Sequence, residues 1–195
     1  MNYNVYKQSR DSAWQFLIDN NISSLPVCFG EICRKNNILL LRDVNSSYFE
    51  SSERGITYIR NGKYNIIVNG KDSLQIQRYT IGHELGHIYM KHPMTDGFYG
   101  RSFGMHYHPQ CYVEYQAERF SMDILAPACV IWGLNIHKSE HIAKICNIAI
   151  QDASYRALRM RELYRRNKFL TSSLEKKVYG QFEEYIRHFS ISNVE

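Results

Sequence analysis

The chain has 195 residues, 44% of them hydrophobic and 22% charged, with a net charge of +5. That length holds one domain with a sizeable core, or one domain with a small helical appendage, and the mild charge permits an acidic or nucleic-acid partner without requiring one. No run approaches the roughly 20 apolar residues of a membrane span, the opening Met1-Asn2-Tyr3-Asn4-Val5-Tyr6 has no secretory pattern, and five scattered cysteines without a C-x-x-C argue for reduced thiols in a cytoplasm over a disulfide framework or cysteine zinc finger.

In chain order, residues 11–20 read as a helix, with Trp14, Leu17 and Ile18 at i, i+3, i+4 as its buried stripe. Ser24-Leu25-Pro26 resembles a helix start with proline in the first turn, leading a short helix to Lys35-Asn36-Asn37. Ile38-Leu39-Leu40-Leu41 is an apolar run of strand length. After a polar loop, Ile56-Thr57-Tyr58-Ile59 and Tyr64-Asn65-Ile66-Ile67-Val68 flank Arg60-Asn61-Gly62-Lys63. Asn-Gly is the favoured two-residue hairpin turn, because both residues tolerate positive φ. An antiparallel hairpin is therefore predicted, with strands long enough for an extended peptide to pair with. Asp72 or Ser73 caps the next helix, predicted from Ser73 to Lys91.

That helix carries His83-Glu84-Leu85-Gly86-His87, an instance of H-E-x-x-H. Four helical residues advance about 400°, so the two imidazoles share a face and can share one metal ion. Glu84 lies about 60° round the helix from His87, badly placed as a third ligand but able to reach a water at the metal. Gly82 and Gly86 each cost about 1 kcal/mol relative to alanine in a helix interior, which implies a close neighbour or a need for space on that side.

Residues 92–112 read as a long irregular segment, of the kind that serves as a lid. His106 and His108 form an H-x-H pair there. Together with Tyr107 and Tyr112 they are candidates for transition-state or substrate contacts, since a donor for a developing oxyanion is needed. A catalytic zinc takes three protein ligands and keeps one open position. The known third histidine six places after the second is absent here, because Pro93 stands there and His92 is one place short. The other solution takes a glutamate from a second helix, predicted over residues 113–125. Glu114, Glu118, Ser121 and Leu125 share one face of it, and Ala117 is small enough to let two helices approach, so the spacing leaves Glu114 and Glu118 both open.

H-E-L-G-H followed by E-x-x-A-x-x-F (Glu114, Ala117, Phe120) and Leu125-Ala126-Pro127 resembles the ImmA/IrrE family of metallopeptidases, over roughly residues 20–160. The resemblance implies a zincin-like fold, zinc held by His83, His87 and Glu114, and Glu84 as the base. It further implies that the substrate is a DNA-binding, helix-turn-helix repressor, cleaved to release mobile-element or stress genes.

Residues 139–162 read as a short helix, a turn and a second, basic helix continuing to Arg165-Arg166-Asn167-Lys168. The pattern has a helix-turn-helix flavour, but lacks the glycine-containing turn expected of a DNA reader, so a packing element with a solvated basic face is the reading preferred. Residues 172–190 read as one last amphipathic helix.

The expected fold is α+β: a small antiparallel sheet packed on helices, with the H-E-x-x-H helix at the site and a helical C-terminal region. The expected division is a metallopeptidase domain at 1–135 and a helical extension at 136–195. The expected activity is zinc-dependent endopeptidase. The alternatives are a catalytically idle zinc-containing regulator, or a DNA-binding protein acting through its basic C-terminal helices.

Overall fold

The computed structural model describes residues 3–45, 49, 53–93, 100–103 and 112–192. In chain order the elements are α1 (Tyr3–Asp19), α2 (Phe29–Lys35), β1 (Leu39–Asp43), β2 (Glu53–Arg60), β3 (Lys63–Asn69), α3 (Leu74–Tyr89), β4 (Gly100–Phe103), α4 (Tyr112–Leu125), α5 (Ala128–Gly133), α6 (Ser139–Cys146), α7 (Ile150–Arg165), α8 (Ser173–Gln181) and α9 (Glu183–Ser192). The fold is mixed α and β, as expected. Among the described residues, no helix is long and apolar enough to cross a membrane.

The chain divides into two compact units, one of residues 1–9 and 28–121 and one of residues 10–27 and 122–195. The sequence reading put its boundary after residue 135. The contacts instead group residues 10–27 and 122–135 with the C-terminal helices.

The first unit is built on a four-stranded sheet in the order β1-β3-β2-β4. The hairpin forms as its turn dictates: Asn61 and Gly62 take φ of 52° and 70°, the two positive angles a type I′ turn demands. Residues 65–68 of β3 are buried throughout, as a central strand requires, with Ile66, Ile67 and Val68 in the core. Two features depart from the sequence reading. First, β1 pairs with β3 in parallel, so the sheet is mixed. Second, residues 100–103, inside the segment read as irregular, form β4 and pair antiparallel with β2. Both hairpin strands are thereby flanked on either side, and the outer strands are β1 and β4. Among the described residues, β4 covers β2 from Glu53 to Thr57 and β1 covers β3 from Asn65 to Asn69, so most of the hairpin is not an edge, which corrects the expectation drawn from it.

α3 lies on β2 and β3, and α2 on β1 and α3. The N-cap of α3 is Ser73, whose Oγ accepts from the Ile76 N–H at 3.3 Å and satisfies one of the unpaired donors of the first turn. α2 starts only at Phe29, so Pro26 stands outside it. The stripe Phe29, Ile32 and Cys33, at i, i+3, i+4 and buried, sets the helix instead.

In the second unit, α5 packs on α7 and α8, and α6 on α7. α1 begins at Tyr3, ahead of the predicted residue 11, since neither proline nor glycine interrupts residues 3–19. Its later half buries Ala13, Trp14, Phe16 and Leu17, while Ile18 is only half-buried. Gln181 ties residues 10–27 into this unit, its amide donating to Leu17 O at 2.9 Å and Ile22 O at 2.6 Å. The single helix read over 172–190 is two. The Phe182 N–H donates to both Val178 O and Tyr179 O, tightening the last turn of α8, and its side chain is fully buried at the break. α6 and α7 are joined by a turn in which Asn147, at φ 50°, takes the left-handed conformation that glycine usually supplies.

Candidate metal centre

α3 and α4 bring three donors together. His83 Nε2 stands 2.9 Å from His87 Nε2 and 3.2 Å from Glu114 Oε2, and His87 Nε2 stands 3.5 Å from Glu114 Oε1. Both histidines are buried, and Glu114 is partly exposed. The i, i+4 spacing aligns the imidazoles, as the sequence indicated. Their approach to α4 depends on small residues. A Cβ built on Gly86 would stand 3.1 Å from Ala117 Cα, and one on Gly82 would stand 2.5 Å from Ser121 Oγ. The two glycines and Ala117 are thus what lets the helices close on each other. Ser121 Oγ also donates to Tyr79 O at 2.8 Å, locking the contact.

Three donors of this kind, all within 4.8 Å of one another, make a set able to hold a metal ion. Ligands about 2.0–2.1 Å from a tetrahedral zinc stand about 3.3 Å apart. The distances of 2.9, 3.2 and 3.5 Å bracket that value. Two neutral imidazoles and a carboxylate are also the chemistry zinc prefers where one position stays open. The donor set fits the ion.

The carboxylates around the two histidines favour positive charge there, and a metal ion would have to displace any proton on the imidazoles. Burial acts to raise the Glu114 carboxyl, but hydrogen bonds from His83 and His87 and their charges pull it well below the usual range. Burial disfavours a charged His83. The hydrogen bond to Glu114 and the charges of Glu84, Glu114 and Glu118 outweigh it and raise that histidine. Glu118, left open by the sequence spacing as a ligand, is not among the three converging donors. Burial is the main cause of its raised pKa, opposed by His83 and reinforced by Glu114.

Glu84 is wholly buried and faces the sheet. Thr57 Oγ1 on β2 donates to Glu84 Oε2 at 2.5 Å, and a Cβ on Gly55 would fall 3.3 Å from Glu84 Oε1 and 2.3 Å from Thr80 Cγ2. Gly55 is therefore the residue that lets β2 lie so close to α3. Sequence reading missed both Thr57 and Gly55, because their partners are about 27 residues further on. His92, one place short of the known third-histidine position, is not among the three converging donors but lies against one of them. His92 is buried, with Nδ1 3.1 Å from His87 Nδ1. Burial, and then the charge of His87, push its pKa down to about 4.

Of the four residues read as transition-state or substrate contacts, Tyr112 is exposed and its hydroxyl lies 3.5 Å from Gln8 Oε1, to which it donates. His106, Tyr107 and His108 lie outside the described residues.

No curated protein matches the chain. The family model of the IrrE N-terminal-like domain, Peptidase_M78, matches residues 42–137, a span that holds β2, β3, β4 and the end of β1, the H-E-L-G-H helix and Glu114. Through those residues the chain belongs to the ImmA/IrrE family of metallopeptidases.

Proposed function

We propose that the protein is a cytoplasmic, zinc-dependent endopeptidase that cleaves a specific protein partner, on the family resemblance a helix-turn-helix repressor. The observation that carries the reading is the convergence of His83, His87 and Glu114, with a buried carboxylate, Glu84, one residue away from the first of them. A purely structural metal site has no use for that extra carboxylate.

In this reading His83 Nε2, His87 Nε2 and one oxygen of Glu114 hold zinc, which when bound supplies Lewis acidity toward the scissile carbonyl and makes a water acidic near neutral pH. Glu84 is the general base. The Thr57 hydroxyl holds its Oε2 and so fixes the plane of the carboxylate. The base takes a proton from the attacking water and returns it to the leaving nitrogen as the peptide bond breaks. An extended substrate pairs with a sheet edge. We assign that role to β4, the outer strand beside β2, because β2 carries the Gly55 and Thr57 that cradle Glu84.

The test separates ligand from base. Purified protein should carry one zinc per chain, measured by elemental analysis, and His83→Ala, His87→Ala and Glu114→Ala should lose it while Glu118→Ala keeps it. Glu84→Gln should keep zinc but lose hydrolysis of a peptide library by about 10²-fold or more, the loss typical of a removed general base. Wild-type protein that takes up no zinc would overturn the reading, and so would near-normal hydrolysis by Glu84→Gln.

A further inference from the structure

α3 ends by folding the chain back over its own last turn. Met90 is the C-cap, and Lys91 takes a left-handed φ of 55°. The His92 N–H donates to His87 O at 3.0 Å and the Lys91 N–H to Ile88 O at 3.2 Å. These are the two hydrogen bonds of a Schellman motif, counted from His87 as the third residue before the cap to His92 as the second residue after it. In that motif the side chains of these two positions meet, ordinarily as an apolar contact. Here both are histidines. The rings meet edge to face, centroids 4.9 Å apart at 78°, with the two Nδ1 atoms 3.1 Å apart.

The direction of this hydrogen bond follows from the ligand geometry. His87 turns Nε2 toward His83 Nε2 and Glu114. An imidazole that binds a metal through Nε2 carries its proton on Nδ1. The atom that this N–H meets is His92 Nδ1, which must then be the acceptor, so His92 holds its own proton on Nε2. We infer that His92 is a positioning residue: it receives the Nδ1–H of His87 and so fixes the tautomer and aim of that ligand. This rests on the proposal that His83, His87 and Glu114 hold zinc. Carboxylates and carbonyls commonly do this work at zinc sites, and losing such a partner typically costs 10–100-fold in metal affinity. Here the helix's own stop signal supplies the partner, five residues after the ligand.

The experiment compares His92→Phe, which keeps an aromatic ring and removes the acceptor, with His92→Asn, whose Oδ1 takes the place of the ring Nδ1. Zinc affinity is read by chelator competition, and the ligand field by the visible spectrum of the cobalt(II)-loaded protein. His92→Phe should weaken zinc binding about 10–100-fold and shift the cobalt spectrum, and His92→Asn should recover most of both. Wild-type affinity in His92→Phe would overturn the inference, as would equal losses in the two variants. If wild-type protein itself takes up no zinc, the metal reading fails instead. Should His92→Phe not fold, ring-nitrogen NMR of the unmutated, zinc-loaded protein decides. His92 protonated on Nε2 supports the assignment, and His92 protonated on Nδ1 overturns it.

Discussion

Single residues at the α3–α4 contact make opposing demands, and their magnitudes predict which wins. Replacing Gly86 with alanine gains about 1 kcal/mol of helix propensity. The new methyl would press on Ala117 Cα at 3.1 Å. That atom is backbone and cannot rotate away, and overpacking of this kind costs about 1–3 kcal/mol. The expected outcome for Gly86→Ala is a net loss of stability, read as a lower melting temperature; an unchanged or higher one would show that the helices can part. Gly82 differs, because the new methyl would meet Ser121 Oγ, the tip of a side chain. That hydroxyl can turn aside, but only by giving up its bond to Tyr79 O, worth about 1 kcal/mol. Gly82→Ala and Ser121→Ala should therefore couple. The double variant should be less destabilised than the sum of the singles, and strict additivity in a double-mutant cycle would sink this account.

At the scale of elements, α7 is fixed by a buried charge. Arg156 Nη2 donates to Asp123 Oδ1 at 2.5 Å and to Met122 O at 3.0 Å, with both side chains almost wholly buried. Arg156→Leu leaves Asp123 buried without its cation, which costs about 3–5 kcal/mol, whereas replacing both by leucine is often nearly neutral. Urea unfolding should show the single variant far less stable than the double; equal stability would mean that the pair contributes packing alone. Nothing in the sequence distinguished Arg156 from the solvated arginines of the same helix, because its partner is 33 residues away. The same distinction runs through the whole chain. The hairpin turn at Asn61-Gly62, the Ser73 cap and the i, i+4 pair His83 and His87 are written in adjacent residues and were legible. The spacing Glu114 and Ala117 was legible as one face of a helix, and only the family resemblance chose between Glu114 and Glu118. The parallel pairing of β1 and the pairing of β4 depend on distant strands. The return of His92 onto His87 depends on a left-handed Lys91, where a glycine would have signalled the stop.

For the whole molecule the open question is selectivity. Pairing along a strand edge uses the main chain and so gives affinity with little discrimination. A peptidase that recognises one partner needs a second surface, and the chain offers a basic one. Arg161, Arg165, Arg166 and Lys168 are exposed along the end of α7 and just beyond it, and Glu162 pairs with only two of them, Arg165 at 2.8 Å and Arg166 at 3.8 Å. On the proposed reading this surface binds the protein partner, and activity on general substrates such as casein is low. Replacing Arg161, Arg165 and Arg166 with alanine should then weaken cleavage of the partner and leave zinc content unchanged. A DNA-binding reading draws on the same residues, and the left-handed Asn147 between α6 and α7 supplies a tight turn without the glycine expected of a DNA reader. It makes a different forecast. Each phosphate neutralised on duplex DNA contributes a slope of about −0.9 to the fall of log affinity with log salt, so a face contacting several phosphates would bind steeply salt-dependently in the absence of any partner. Duplex affinity measured at two salt concentrations, beside partner cleavage by the triple variant, separates the two. Tight, salt-steep DNA binding that the triple variant abolishes, in a protein that cleaves no partner, would make the chain a regulator whose zinc site is structural.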